Sequence, residues 1–148
     1  MRTLFLILMV WMMVGCEEDS VAVTGEIRYG TSFGECIGYC IRETLIVDRQ
    51  ITVVARAWDD RPAKERSAKL SEVDAAAIRS GIDVGAFEKL PSTIGCPDCA
   101  DGGAEWLELQ INGEAARVTF EYGSDIEGIA AGVAKLRALT QDMDPTAD

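Results

Sequence analysis

The chain has 148 residues, with 14 Lys and Arg against 25 Asp and Glu, no histidine and a formal net charge of −11. So acidic a chain does not suit nucleic acid, whose phosphates call for Lys and Arg, nor electrostatic attachment to anionic lipid headgroups. Lacking histidine, it lacks the usual general base, the Ser–His and Cys–His nucleophile pairs and the commonest metal ligand. No phosphate-binding loop or G-x-G-x-x-G is present either.

At the start of the chain Arg2 precedes an apolar run from Leu4 to Val14, and Gly15 stands directly before Cys16. A positive start, an apolar middle and a small exit residue make residues 1–15 a secretory signal. About a dozen apolar residues fall short of the roughly 20 that a transmembrane helix needs. The alternatives are a core helix or an ordinary cleaved signal with an incidental cysteine. The run has no polar face, however, and it stops abruptly at Glu17-Glu18-Asp19, which suits a signal better than an amphipathic helix. Met13-Val14-Gly15-Cys16 resembles the lipobox of bacterial lipoproteins, with Met13 standing where Leu is usual. The resemblance implies diacylglycerol on the Cys16 thiol, cleavage after Gly15 and acylation of the new amino terminus. Several acyl chains give durable membrane anchoring where one is marginal. Glu17 follows the cysteine in place of the aspartate that commonly retains lipoproteins at the inner membrane, which favours the outer membrane, facing the periplasm. Residues 16–20 then form a short acidic tether, residues 21–142 a single α+β domain and residues 143–148 a frayed tail.

Within the domain, Val21 to Tyr29 alternates as a half-buried strand, and Gly30 to Cys40 is a glycine-punctuated loop. Ile41 to Val47 and Ile51 to Trp58 are β-branched runs around Asp48-Arg49-Gln50, the pattern of a hairpin. The charged, Pro62-containing stretch from Asp59 to Lys69 is expected to be a loop. Ser71-Glu72-Val73-Asp74 reads as a capping box with Leu70 as its hydrophobic neighbour. It opens a helix that should stop at Gly81, and a helical continuation from Ile82 should end before Pro91. In residues 105–122 two alternating runs flank Asn112-Gly113, whose type I′ turn needs positive φ at both central residues. That turn sets Leu109 against Ala116, Leu107 against Val118 and Glu108 against Arg117, an apolar face backed by a charge-paired one. Ser124-Asp125-Ile126-Glu127 reads as a second capping box. The stripe Ile126, Ile129, Ala130, Val133, Leu136, Leu139 then packs a second helix on the hairpin. The fold class is α+β, a mostly antiparallel sheet of about five strands packed with two helices.

Four cysteines follow Cys16, in Cys36-Ile37-Gly38-Tyr39-Cys40 and Cys96-Pro97-Asp98-Cys99. Outside the cytoplasm structural disulfides are their expected fate, and both two local loops and two cross-links between the loops are open. The same four residues, Cys36, Cys40, Cys96 and Cys99, are the alternative metal ligands of a tetrahedral zinc centre, or a redox pair through the C-x-x-C. Asp98 and Asp101 share the second loop and offer at most weak binding of a hard cation; a solvated acidic loop is the plainer reading. Trp58 and Trp106 read as sheet residues. Trp106, on the polar face opposite Thr119, is the candidate binding contact.

Ile27-Arg28-Tyr29-Gly30 leading into Gly34 to Cys40, then Gly95 to Trp106 and Val118 to Gly123, resembles a family of uncharacterised bacterial envelope lipoproteins that carry a small domain of unknown function. The likeness spans roughly Ile27 to Leu139, with the two cysteine motifs its most specific part. It implies a shared fold and address but no activity. The expectation is a lipid-anchored, non-enzymatic domain with no cofactor, attached to the membrane through Cys16 and binding a protein or another envelope component. A zinc or thiol-redox protein is the alternative. A hydrolase using paired carboxylates is a third reading, supported by no spacing in the chain.

Overall fold

The computed structural model describes residues 25–147; the signal, Cys16, the acidic tether and the start of the first expected strand lie outside it. Seven strands form one sheet: β1 (Ile27–Ser32), β2 (Tyr39–Val47), β3 (Gln50–Ala57), β4 (Lys64–Lys69), β5 (Thr93–Ile94), β6 (Ala104–Ile111) and β7 (Glu114–Glu121). Their order is β4-β3-β2-β1-β6-β7-β5. Every pairing is antiparallel except β5 with β7. Three helices, α1 (Glu72–Ser80), α2 (Val84–Phe87) and α3 (Ala130–Asp142), complete an α+β domain.

The helices cover one face. Ile27 and Tyr29 of β1, Ile46 of β2, Ile51 of β3, Leu107 and Leu109 of β6 and Val118 and Phe120 of β7 point inward. They join Ile78, Phe87, Ile129, Val133 and Leu136 in a single buried cluster. The β6–β7 hairpin has the expected register, Leu109 against Ala116 and Leu107 against Val118. Asn112 and Gly113 both take positive φ, 52° and 84°, as a type I′ turn demands. Ser71 caps α1 as expected, its hydroxyl accepting from the Asp74 N–H at 3.1 Å, with Leu70 buried beside it.

The five-strand, two-helix expectation is corrected by elements whose residues carry no apolar alternation. The stretch expected to be a loop at Asp59 to Lys69 contains β4, exposed at all six positions. Backbone pairing from Ala55↔Lys64 to Gln50↔Lys69 is what makes it a strand. Its Lys- and Arg-rich surface is how an edge strand avoids pairing with other chains. The two-residue β5 borders the opposite edge, beside the Thr119 N–H to Ser92 C=O bond of 2.9 Å. The continuation after Gly81 is one short turn of helix, capped by Asp83 on the Ala86 N–H at 3.0 Å.

The second expected capping box opens no helix. Gly128 takes φ 84° and its carbonyl accepts from the Asp83 N–H at 2.8 Å, so the chain turns once more before α3 begins at Ala130. Ser124 therefore sits too early to cap. Ile129 precedes α3 with no side-chain cap and is itself buried. Beyond α3 lies the tail expected to fray. Met143 packs on the core, and Thr146 bonds to Asp144 through its N–H at 2.8 Å and its hydroxyl at 2.7 Å.

The helices meet through glycine. The Gly132 N–H donates to the Gly81 carbonyl at 2.9 Å, and a Cβ on Gly132 would stand 2.4 Å from Ile82 Cγ1 and 2.9 Å from the Gly81 oxygen. Backbone has no room to give there. The expected outcome for Gly132→Ala is a loss of about 2 kcal/mol in urea unfolding, although alanine is the better helix former; unchanged stability would show that α1 and α3 separate freely.

Candidate functional site

Ser32, Tyr39, Ala57, Lys64, Ala104 and Glu121 mark one end of the sheet, while Ile27 and the turns at Asp48-Arg49 and Asn112-Gly113 mark the other. Both cysteine motifs emerge at the first end. Cys36 is joined to Cys40 and Cys96 to Cys99, with Cα–Cα separations of 5.6 Å and 5.4 Å. Of the pairings left open by spacing, the local ones are realised. Sulfur in a disulfide offers zinc no thiolate, and among the described residues no cluster of His, Cys, Asp or Glu could hold a metal ion. Asp98 accepts instead from the Gly34 N–H at 3.2 Å, tying one cysteine loop to the other, while Asp101 is exposed.

Above these loops, between β2 and the last turns of α3, lies a cavity of about 250 Å³. Phe33, Tyr39 and Tyr122 form its aromatic walls. Phe33 and Tyr122 meet edge to face at 4.9 Å. The Tyr39 hydroxyl donates to the Pro62 carbonyl at 3.0 Å, and Arg61 and Lys64 lie 5.6 Å and 5.4 Å from its ring centre. Arg42, Gln141 and Asp144 form the polar side of the cavity. Arg42 Nε donates to Asp144 at 2.9 Å and its Nη2 to Thr146 at 3.1 Å, so the tail closes this wall.

Beneath the cavity is Glu105, fully buried. It accepts from the Tyr29 hydroxyl, from Arg137 Nε and Nη2 at 3.0 Å and 2.8 Å, and from the Gly123 N–H at 3.0 Å. Burial first, then the neighbouring carboxylate, pushes the Tyr29 phenol well above its usual range, so the hydroxyl stays a donor. The bidentate bond to Glu105 raises the Arg137 guanidinium further still. Thr44 and Thr140 join hydroxyls at 2.5 Å nearby, and Thr140 donates on to the Leu136 carbonyl at 2.8 Å.

Trp106, the aromatic singled out by sequence, sits on the other, helix-free face. Its ring lies over Gly30, where a Cβ would come within 2.0 Å of it, and Arg117 covers it at 5.5 Å. Arg117 also pairs with Glu108 at 2.8 Å, and Arg56 pairs with Glu43. Glu43, Arg56, Trp106 and Arg117 border a cleft of about 380 Å³. Trp58 falls just beyond β3 rather than within the sheet. It is 59 % exposed and tethered by its indole N–H to the Phe33 carbonyl at 2.9 Å.

Cys16 lies outside the described residues, and the site near the disulfides is built from side chains that sequence did not single out. One signal was present: Glu105 precedes Leu107 and Leu109 on the inward alternation, where a charge must find a partner. Nothing along the chain designated Arg137 as that partner. Among the described residues no helix is long and apolar enough to cross a membrane. Comparison with protein-family models and with curated proteins returned no match.

Removing Arg137 strands a buried carboxylate. Arg137→Met is expected to lower the unfolding free energy by about 3 kcal/mol, with Arg137→Lys recovering only part because an ammonium cannot bond the carboxylate bidentately; equal stability of all three would show that the pair contributes nothing. Asp144 gives a pH signature. Burial raises its pKa, but hydrogen bonds from Thr146 and Arg42 outweigh that and hold the carboxyl below its usual range. A depressed folded pKa stabilises above the unfolded value and is lost as pH falls through the folded one. Asp144→Asn should therefore cost about 1 kcal/mol at neutral pH, and its urea midpoint should converge on wild type as pH drops below about 4.

Proposed function

We propose that the chain is a lipid-anchored domain of the bacterial cell envelope, akin to the envelope lipoproteins that its cysteine motifs resemble, and that it binds a partner rather than catalysing a reaction. The observation that carries the reading is the pairing of all four cysteines of the described domain. Proteins keep such bonds outside the reducing cytosol, in agreement with an export signal ending at Gly15-Cys16. Acyl chains on Cys16 then supply the attachment that so acidic a chain would not gain from anionic headgroups.

The binding end in this reading is the stapled one. The described chain starts at Gly25, beside the opposite end of the strands. The nine residues of β2 separate the two ends by roughly 25–30 Å. The disulfide loops, the aromatic cavity and exposed Ile37 and Trp58 all lie at the end of the sheet away from Gly25. Loops held by a staple keep their shape before a ligand arrives, which lowers the entropy lost on binding. Glu105, the one buried carboxylate among the described residues, is engaged with Arg137 and Tyr29 and supplies no free acid or base. Trp106 remains a secondary contact on the helix-free face, where its ring is already covered by Arg117.

A thiol-active protein is the second reading, favoured by the exposure of both Cys96 and Cys99; it requires that this pair cycle between dithiol and disulfide.

The address is tested by Cys16→Ser. The wild-type protein should partition into the detergent phase and sediment with membranes, and the variant should do neither; membrane association that survives the substitution overturns the anchor.

A further inference from the structure

We propose that the aromatic cavity at the disulfide end binds one neutral sugar ring of a glycan, an inference that rests on the binding role above and names the ligand class. Three properties of the cavity point to that chemistry.

Its size admits a small guest. About 250 Å³ is the share of some eight liquid waters and lies just under the roughly 300–1,000 Å³ of drug-sized sites. One substituted six-membered ring is of that order, and a longer ligand would project into solvent.

Its charge is balanced. Arg137 is matched by Glu105 and Arg42 by Asp144, at 2.8 Å and 2.9 Å. An anion would meet the Asp144 carboxylate and the field of a chain with net charge −11, and a cation would meet two guanidinium groups. A neutral ligand meets no like charge.

Its polar groups are of both kinds, set beside aromatic rings. Arg137 uses Nε and Nη2 on Glu105, and its Nη1 has no protein acceptor among the described residues. Exposed Gln141 at the rim offers an amide that donates and accepts. A hydroxyl also does both, so a polyhydroxylated ring can answer either group whichever way it enters. The C–H face of the same ring is apolar and suits the half-buried rings of Phe33, Tyr39 and Tyr122. An apolar side chain of a partner protein would satisfy the rings but strip water from Arg137 and Gln141 without replacing the hydrogen bonds.

The test uses full-length protein extracted in detergent and, as probes, methyl glycosides of neutral hexoses and N-acetylhexosamines. Ligand-observed saturation-transfer NMR reads contact, and titration reads affinity. Gln141→Trp fills the rim from an exposed helix position, and Ala115→Trp places the same bulk at an exposed β7 position away from the cavity. The expected result is saturation transfer to the ring protons of at least one neutral glycoside, binding weakened at least tenfold by Gln141→Trp, and no change with Ala115→Trp, all three proteins unfolding at the same urea concentration. Absence of transfer to every glycoside overturns the proposal. So does undiminished binding by Gln141→Trp, and so does stronger competition from a uronic acid or from N-acetyl-phenylalanine amide, the latter marking a peptide site. The outcome is independent of the Cys16→Ser partitioning assay, so a false address and a false ligand class are told apart.

Discussion

A carboxylate with no access to water stands at the centre of this domain. Glu105 occupies an inward position of β6, next to β1 at the middle of the sheet, where an isolated charge would cost several kcal/mol. Four donors answer it, from β1, from the turn after β7 and twice from α3. They come from three separate parts of the chain, so satisfying the charge also fixes where those parts meet. A hydrophobic residue in place of Glu105 would pack without such demands. Its contribution is register: Arg137 reaches Glu105 in only one placement of α3 over the sheet, and that placement carries Thr140 to Thr44 and Asp144 to Arg42.

The rest of the helix layer is set by how closely backbone can approach backbone. Gly81 and Gly132 let α1 and α3 touch through a main-chain hydrogen bond. Gly128 turns against Ala86, where a Cβ would stand 2.5 Å from the alanine methyl. The Lys135–Asp74 ion pair spans the same two helices at the surface, where such pairs contribute little. Close approach and the Glu105 network together position the end of α3, and the end of α3 forms the polar wall of the cavity. Stability and site geometry therefore share the same few residues.

The two sheet faces differ for a related reason. The helix-free face carries Arg28, Arg56 and Arg117 against Glu43 and Glu108, and the partners are strand neighbours, matched by register alone. The cavity draws its residues from β1, β2, α3, the tail and two loops. The disulfides lie beside it, at the loops between Ser32 and Tyr39 and between Ile94 and Ala104. Asp98, Ala100 and Asp101 take positive φ in the second of these, costing about 1 kcal/mol or more each for residues with a Cβ.

Sequence alone determined the features that depend on near neighbours: the Asn112-Gly113 hairpin and its register, the Ser71 cap, the end of α1 at Gly81, the β2–β3 hairpin and the α+β class. Each follows from periodicity, turn chemistry or a cap, all of which act within a few residues. β4 and β5 were invisible because an edge strand needs only a partner's backbone, and Ser124 misled because a capping pattern does not state whether a later glycine will turn the chain again. Tertiary structure decided the partner of Glu105, the anchoring of the tail by Arg42, the local pairing of the cysteines and the convergence of Phe33, Tyr39 and Tyr122 on one cavity. These contacts join residues as far apart in sequence as Arg42 and Thr146. No local rule encodes such a distance, since the free energy that selects the pairing exists only once the sheet and its helices have assembled.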